Sequence, residues 1–256
     1  MSRREFLCWA GALSLSGCAR PRLVAEAAAT AAAPPAAGNV RAVAFDLFTL
    51  FDPRGVDRRI AAVVGENPGF ATTWKMKLFE YSWLRAASGQ YRDFENLASD
   101  ALSYSARAHD VVLSDQARAE LAGAFTELEP WPDSAAVLEQ LRARGLKLAP
   151  LANFSPRMIE RLLGRAKLLD HFDALISTDR AQSYKPDPRA YALAETTFGL
   201  PKKQIAFSAF GGWDAAGADW FGFPTFWVNR LSRPSEELGA EVATGPDLTA
   251  LARWIT

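Results

Sequence analysis

Val40-Arg41-Ala42-Val43-Ala44-Phe45-Asp46-Leu47-Phe48-Thr49-Leu50-Phe51-Asp52 is the stretch that decides the fold. A largely apolar run from Val40 to Phe45 stops at a carboxylate and then resumes. A buried parallel strand reads this way when its carboxyl end carries a reactive group, since neighbours cover both faces. Ligands of open α/β sheets sit outside the carboxyl ends of the strands. Asp46 is therefore a candidate covalent nucleophile. Taken alone, the segment reads equally as a strand whose Asp begins a turn.

Outward from this segment, strands alternate with helical patterns. Arg41 to Asp46 is the first strand, followed by Leu146 to Ala152, Ala174 to Ser177, Ile205 to Ala209 and Thr225 to Val228. Helical segments separate the later strands: Arg157 to Arg165, Pro188 to Phe198 and Asp214 to Phe221. This alternation predicts an α/β fold with a Rossmann-like parallel sheet of about five strands and right-handed crossovers. The gap between the first and second strands is too long for a simple connection. Arg58 to Val64, Thr73 to Ser88, Asp93 to His109 and Ser114 to Glu127 fit helices there. In the second of these, Trp74, Leu78, Tyr81 and Leu84 recur at helical spacing. Pro130-Trp131-Pro132 closes the block. The expected layout is a core of residues 40–54 and 131–256 carrying an inserted helical cap of residues 55–130.

Composition narrows the function. The chain has 256 residues, of which 49% are apolar, enough for a sizeable core. Lys+Arg and Asp+Glu balance at 29 each, so no broad field favours nucleic acid. Both cysteines, Cys8 and Cys18, fall near the N-terminus, which leaves the folded part without a disulfide, a thiolate nucleophile or a cysteine metal site. Ser2-Arg3-Arg4-Glu5-Phe6-Leu7, followed by an apolar stretch to Gly17, reads as a twin-arginine export signal over residues 1–18. Leu15-Ser16-Gly17-Cys18 reads as a lipoprotein box, which would tether the protein to a membrane through Cys18. Residues 19–39 are rich in Ala and Pro and read as a flexible tether. The expected location is the periplasm, free or as a membrane-anchored lipoprotein.

Four pieces carry chemistry, each at or just beyond a strand end: Asp46, Ala152-Asn153, Ser183-Tyr184-Lys185-Pro186-Asp187 and Gly211-Gly212-Trp213-Asp214. An ionised nucleophile needs a nearby cation. Lys185 is the candidate, with a solvated loop lysine as the plainer alternative. Asp214 would orient Lys185 or a water, or else cap the helix that it precedes.

With these motifs, and with Trp213-Asp214-Ala215-Ala216-Gly217-Ala218, Phe221-Gly222-Phe223-Pro224-Thr225 and Phe79-Glu80-Tyr81-Ser82-Trp83-Leu84-Arg85, the chain resembles the haloacid dehalogenase superfamily. Within it, the chain most resembles the 2-haloacid dehalogenases of the second type, over roughly Arg41 to Arg230. The resemblance implies hydrolytic dehalogenation of a small 2-haloalkanoic acid through an aspartyl ester on Asp46, without a metal or other cofactor. It implies a catalytic part for Tyr191, beside the reacting carboxylate, and a substrate-holding part for Asn153. Trp213 with Trp74, Phe79 and Tyr81 would form an apolar pocket, although such a stripe also reads as core. Trp-rich cap helices also suit a homodimer.

The chain departs from the family pattern at several points. The first motif lacks the Gly that precedes Thr49 in the family, so Thr49 is displaced by one residue as a substrate-binding candidate. Lys75 stands where the family has an Arg thought to hold the leaving halide; it keeps the charge without the planar fork. Ala152, Ala209 and Gly211 replace hydrogen-bonding residues, which implies an altered pocket. The rival reading on the same fold is a Mg²⁺-dependent phosphohydrolase. It is opposed by Phe48, a substrate-binding candidate that stands where those enzymes have an acid/base Asp, and is favoured by Asp219, five residues after Asp214 and otherwise read as an exposed helix residue. A catalytically weak exported binding protein is the third reading. The two histidines, His109 and His171, accompany no obvious nucleophile.

Overall fold

The computed structural model describes residues 38–255. The signal, lipoprotein box and most of the tether expected at the N-terminus lie outside the described residues. The chain runs β1 (Ala42–Phe45), α1 (Leu47–Leu50), α2 (Arg54–Val64), α3 (Pro68–Ser88), α4 (Phe94–Ala108), α5 (Asp115–Gly123), α6 (Ser134–Ala143), β2 (Lys147–Ala152), α7 (Pro156–Arg165), β3 (Ile176–Ser177), α8 (Pro188–Phe198), β4 (Ile205–Ala209), α9 (Gly212–Phe221), β5 (Thr225–Val228), β6 (Ala243–Gly245) and α10 (Leu248–Trp254).

The strands form one parallel sheet in the order β3-β2-β1-β4-β5-β6. Alternation along β1 feeds two cores. Val43 and Phe45 pack on the side of Leu138, Leu141 and Leu251. Ala42 and Ala44 face Tyr191, Ala194 and Phe207, where small side chains let α8 lie close. Chain order reverses direction across the sheet at β1, with β2 and β3 on one side and β4 to β6 on the other. That switch point opens a crevice at the carboxyl end of β1, where Asp46 sits.

All five expected strands are present. The sixth, β6, was not expected. Ala243-Thr244-Gly245 carries no apolar alternation, and as an edge strand it needs only β5 as partner. The α6 and α10 helices were also unassigned from sequence. Between β1 and β2, α2 to α5 occupy the segment that reads as helical. They are tied to the sheet region by the Tyr91 hydroxyl, which donates to Asp179, and by the Tyr184 hydroxyl, which donates to the Arg92 carbonyl.

The turn after Asp46 is held through its carbonyls. Helix ends leave such oxygens without partners inside the helix, and α1 has only four residues. Trp131 Nε1 donates to Phe48 O at 3.1 Å, Ser134 Oγ to Leu50 O at 2.7 Å, and Arg230 Nη2 to Thr49 O at 2.8 Å. Arg230 also pairs with Asp133 at 2.8 Å and lies over the Trp131 ring, with its side chain only 6% exposed. Arg230→Leu should leave the Thr49 carbonyl without its donor and Asp133 with only the Leu248 N–H. The expected loss of stability is about 2–4 kcal/mol in urea denaturation, because breaking a largely buried ion pair leaves its partners uncompensated.

Candidate active site

Asp46 follows β1 directly and occupies the position before α1. Its backbone N–H donates to Ser208 O at 2.9 Å, which continues the ladder to β4 and fixes where the side chain starts. Lys185 arrives from the loop after β3. Asn153, just past β2, holds that loop by accepting the Lys185 N–H on Oδ1 at 2.9 Å. Asp214 comes from the first turn of α9. The approach of α9 to this loop requires Gly217, because a Cβ there would stand 2.7 Å from Pro186 Cβ and 2.8 Å from the Tyr191 hydroxyl.

The three elements converge on one ammonium. Lys185 Nζ lies 3.2 Å from Asp46 Oδ1 and 2.7 Å from Asp214 Oδ2. Its side chain is 2% exposed and that of Asp214 1%, whereas Asp46 keeps 15% exposure. Tyr191 donates its hydroxyl to Asp214 Oδ1 at 2.6 Å. One cation thus faces two carboxylates in a nearly dry site. Burial pushes the Asp214 carboxyl up to about 6, reinforced by the charge on Asp46 and opposed by Lys185 and the Tyr191 hydroxyl. Burial alone would lower the Lys185 ammonium; Asp214 and Asp46 outweigh it and hold the group above its ordinary value. Burial and the neighbouring Asp214 push the Tyr191 hydroxyl well above its ordinary value, so it remains a donor.

Above Asp46 opens a cavity of about 770 Å³. Asp46, Phe48, Lys75, Asn153, Lys185 and Trp213 line it, as does Phe79. Several expected positions differ. Thr49 is fully buried, is absent from the lining, and donates its hydroxyl to Asp46 O at 2.6 Å. Without the family Gly, the short α1 turns this side chain back onto its own backbone, so Thr49 shapes the turn and does not face a ligand. Asp214 and Tyr191 also lie outside the lining and act through Lys185. The Asp214 side chain does not cap α9: Gly211 occupies the cap position, and the carboxylate is committed to Lys185 and Tyr191. Trp74 is core, buried against Phe125 with Nε1 donating to Ala98 O, and Tyr81 packs on Tyr104; neither lines the cavity. Lys75 does line it, but Nζ is engaged by Asp57 at 2.6 Å. Asp219 is not part of the lining.

Sequence reasoning missed the main walls. Phe154 and Phe210 each stand edge-on to Phe48 at 5.9 Å, and Phe94 packs at 4.7 Å from Phe154. Phe210 immediately follows β4 and Phe154 follows β2 by two positions, so the rule that placed Asp46 would have found both. Arg230, which pins the Asp46 turn, carried no local signal.

The raised Asp214 group has a consequence for stability. Its folded-state value lies above the ordinary 3.8, so the folded chain holds this proton more tightly than the unfolded chain does. The stabilising contribution is complete below that ordinary value and is lost as pH rises through about 6. Urea denaturation at pH 4.5 and 7.5 should therefore find that the wild type loses stability relative to Asp214→Asn over this interval. Parallel pH dependence in the two proteins would contradict the placement.

Known proteins share this geometry's framework. A family model for haloacid dehalogenase-like hydrolases matches residues 23–219. An (S)-2-haloacid dehalogenase of Pseudomonas sp. (strain YL) is 41% identical over 202 residues, covering 78% of this chain and 87% of that protein. A crystal structure of an L-2-haloacid dehalogenase aligns with a TM-score of 0.81 at 37% identity, over 85% of this chain and 99% of the other. The L-2-haloacid dehalogenase from Xanthobacter autotrophicus, solved with chloropropionic acid covalently bound, aligns with a TM-score of 0.77 at 33% identity, over 84% of this chain and 98% of that one. With a parallel sheet that ends in Asp46, a lysine delivered to it from the loop after β3, and relatives of this similarity over most of its length, the chain belongs to the haloacid dehalogenase-like hydrolase family.

Proposed function

We propose that the protein hydrolyses the carbon–halogen bond of a small 2-haloalkanoic acid through an ester on Asp46. The observation that carries this reading is the Asp46–Lys185–Asp214 arrangement at the base of an aromatic-walled cavity. An Asp46 oxygen attacks the carbon bearing the halogen, and halide leaves with the bonding electrons. Water then adds to the ester carbonyl and releases the 2-hydroxy acid, and the water oxygen remains on Asp46. Lys185 balances the carboxylate before attack and again on its release. Asp214 and Tyr191 keep the ammonium aimed.

Substrate carboxylate would be held by groups that the protein leaves available. Among the described residues the Asn153 side-chain nitrogen has no protein acceptor, while its oxygen is committed to Lys185 N and Thr178. The first-turn amides of α9 at Gly212 and Trp213 have no acceptor within their own helix. These donors partly replace what Ala152, Ala209 and Gly211 lack. Lys75, shared with Asp57, would attract the departing halide. Phe48, packed among Phe154 and Phe210, supplies no oxygen two residues after the nucleophile, which weighs against a phosphohydrolase. The helices between β1 and β2 serve in this reading as the cap. The exposed Met76, Trp83 and Leu84 on α3 support a homodimer packed through them.

Asp46→Asn and Lys185→Met should each lower halide release from (S)-2-chloropropionate by about 10⁴-fold or more. Mass spectrometry of wild-type protein quenched during turnover should find the substrate's carbon skeleton on Asp46. Retained activity in Asp46→Asn, or an adduct on another residue, would overturn the mechanism.

We further read residues 1–18 as an export address that places the enzyme in the periplasm. Replacing Arg3→Lys and Arg4→Lys together should leave the full-length precursor in the cytoplasmic fraction. A free Cys18 thiol without a mass increment in exported protein would remove the lipoprotein reading.

A further inference from the structure

We propose that this site selects 2-haloacids whose C2 substituent ends in an aromatic ring; the proposal deepens, and rests on, the dehalogenase reading above. The first ground is volume. The cavity over Asp46 measures about 770 Å³. A three-carbon haloacid displaces roughly the volume of three or four waters, or about 100 Å³ at about 30 Å³ each. Most of the space would then hold only solvent during reaction. Cavities of this size ordinarily enclose a much larger ligand.

The second ground is what faces the space. Around the reacting carboxylate, Phe48 meets Phe154 and Phe210 edge-on at 5.9 Å each. Leu78, Phe79 and Trp213 face the same cavity from α3 and α9. Phe79 and Trp213 are themselves in edge contact at 5.7 Å. Phenyl rings prefer such offset and edge-on surroundings, so a guest ring meets walls already arranged for it. The third ground is what is missing. Ala152 and Gly211 line the cavity and offer no side-chain donor or acceptor. Among the lining cations, Lys75 and Arg54 are taken up by Asp57 and Asp52. Polar side chains also line it at Ser82 and along Asn229 to Glu236, but around Asp46 the walls are aromatic, and apolar area buried against them is gained in proportion to its extent.

The test compares (S)-2-chloropropionate with (S)-2-chloro-3-phenylpropionate by halide release from the full chain. Propionate and 3-phenylpropionate, which lack halogen, are compared by quenching of tryptophan fluorescence, since Trp213 and Trp227 line the cavity. The expected kcat/KM ratio favours the phenyl compound by about ten- to a hundredfold, mainly through KM, and 3-phenylpropionate binds at least about tenfold tighter than propionate. Leu78→Trp narrows the cavity and should bring both ratios towards one. Halide release from 2-chloropropionate that equals or exceeds release from the phenyl compound overturns the proposal and leaves the dehalogenase reading intact. If neither compound releases halide, the dehalogenase reading fails. In that case binding alone decides: 3-phenylpropionate held tighter than propionate supports the aromatic pocket, and equal binding overturns it. Ratios unchanged in a folded Leu78→Trp place the ring elsewhere and overturn it as well.

Discussion

A single buried ammonium shared by two carboxylates is the constraint around which this molecule is arranged. Charges this far from water are costly unless attraction and hydrogen bonds offset the lost hydration. Lys185 meets the condition with contacts at 3.2 and 2.7 Å to Asp46 and Asp214. The two carboxylates are not equivalent. Asp214 is sealed in and fully committed to Lys185 and Tyr191, whereas Asp46 retains a side open to the cavity. Burial on one side and access on the other separate a group that aims from a group that reacts.

Much of the surrounding structure can be understood as holding these three side chains in register. Asp46 is fixed by the central strand and by a turn whose carbonyls are taken up by Trp131, Ser134 and Arg230. Lys185 is fixed by Asn153, which binds its backbone and not its charge. Asp214 is brought in by α9, whose packing depends on Gly217. These supports come from residues far apart in sequence, so a change in any one of them reaches the reacting atoms through displacement of a neighbour.

Ala152, Ala209 and Gly211, where the family resemblance implies hydrogen-bonding residues, offer no side-chain donor or acceptor. Ala152 and Gly211 line the cavity beside Phe48, Phe154 and Phe210, whereas Ala209 is buried in the core. Such a site keeps a carboxylate and an ammonium in contact at the base of an aromatic-walled cavity.

Residue types and their order along the chain were enough to mark the parallel sheet, the carboxylate at the end of β1, and Lys185 and Asp214 as its companions, because a buried strand interrupted by a charge leaves a local signature. Phe48 and Trp213 were legible for the same reason, being next to strand ends. The edge strand β6 was not, since pairing on one side demands little of Ala243-Thr244-Gly245. Only the tertiary structure decided that Thr49 turns inward, that Trp74 and Tyr81 pack away from the cavity, that Tyr191 acts through Asp214, and that Arg230 clamps the turn beside the nucleophile. Those outcomes depend on side-chain direction and on contacts between distant segments. Periodicity and spacing place a residue on an element, but what that residue touches is determined by how the elements pack.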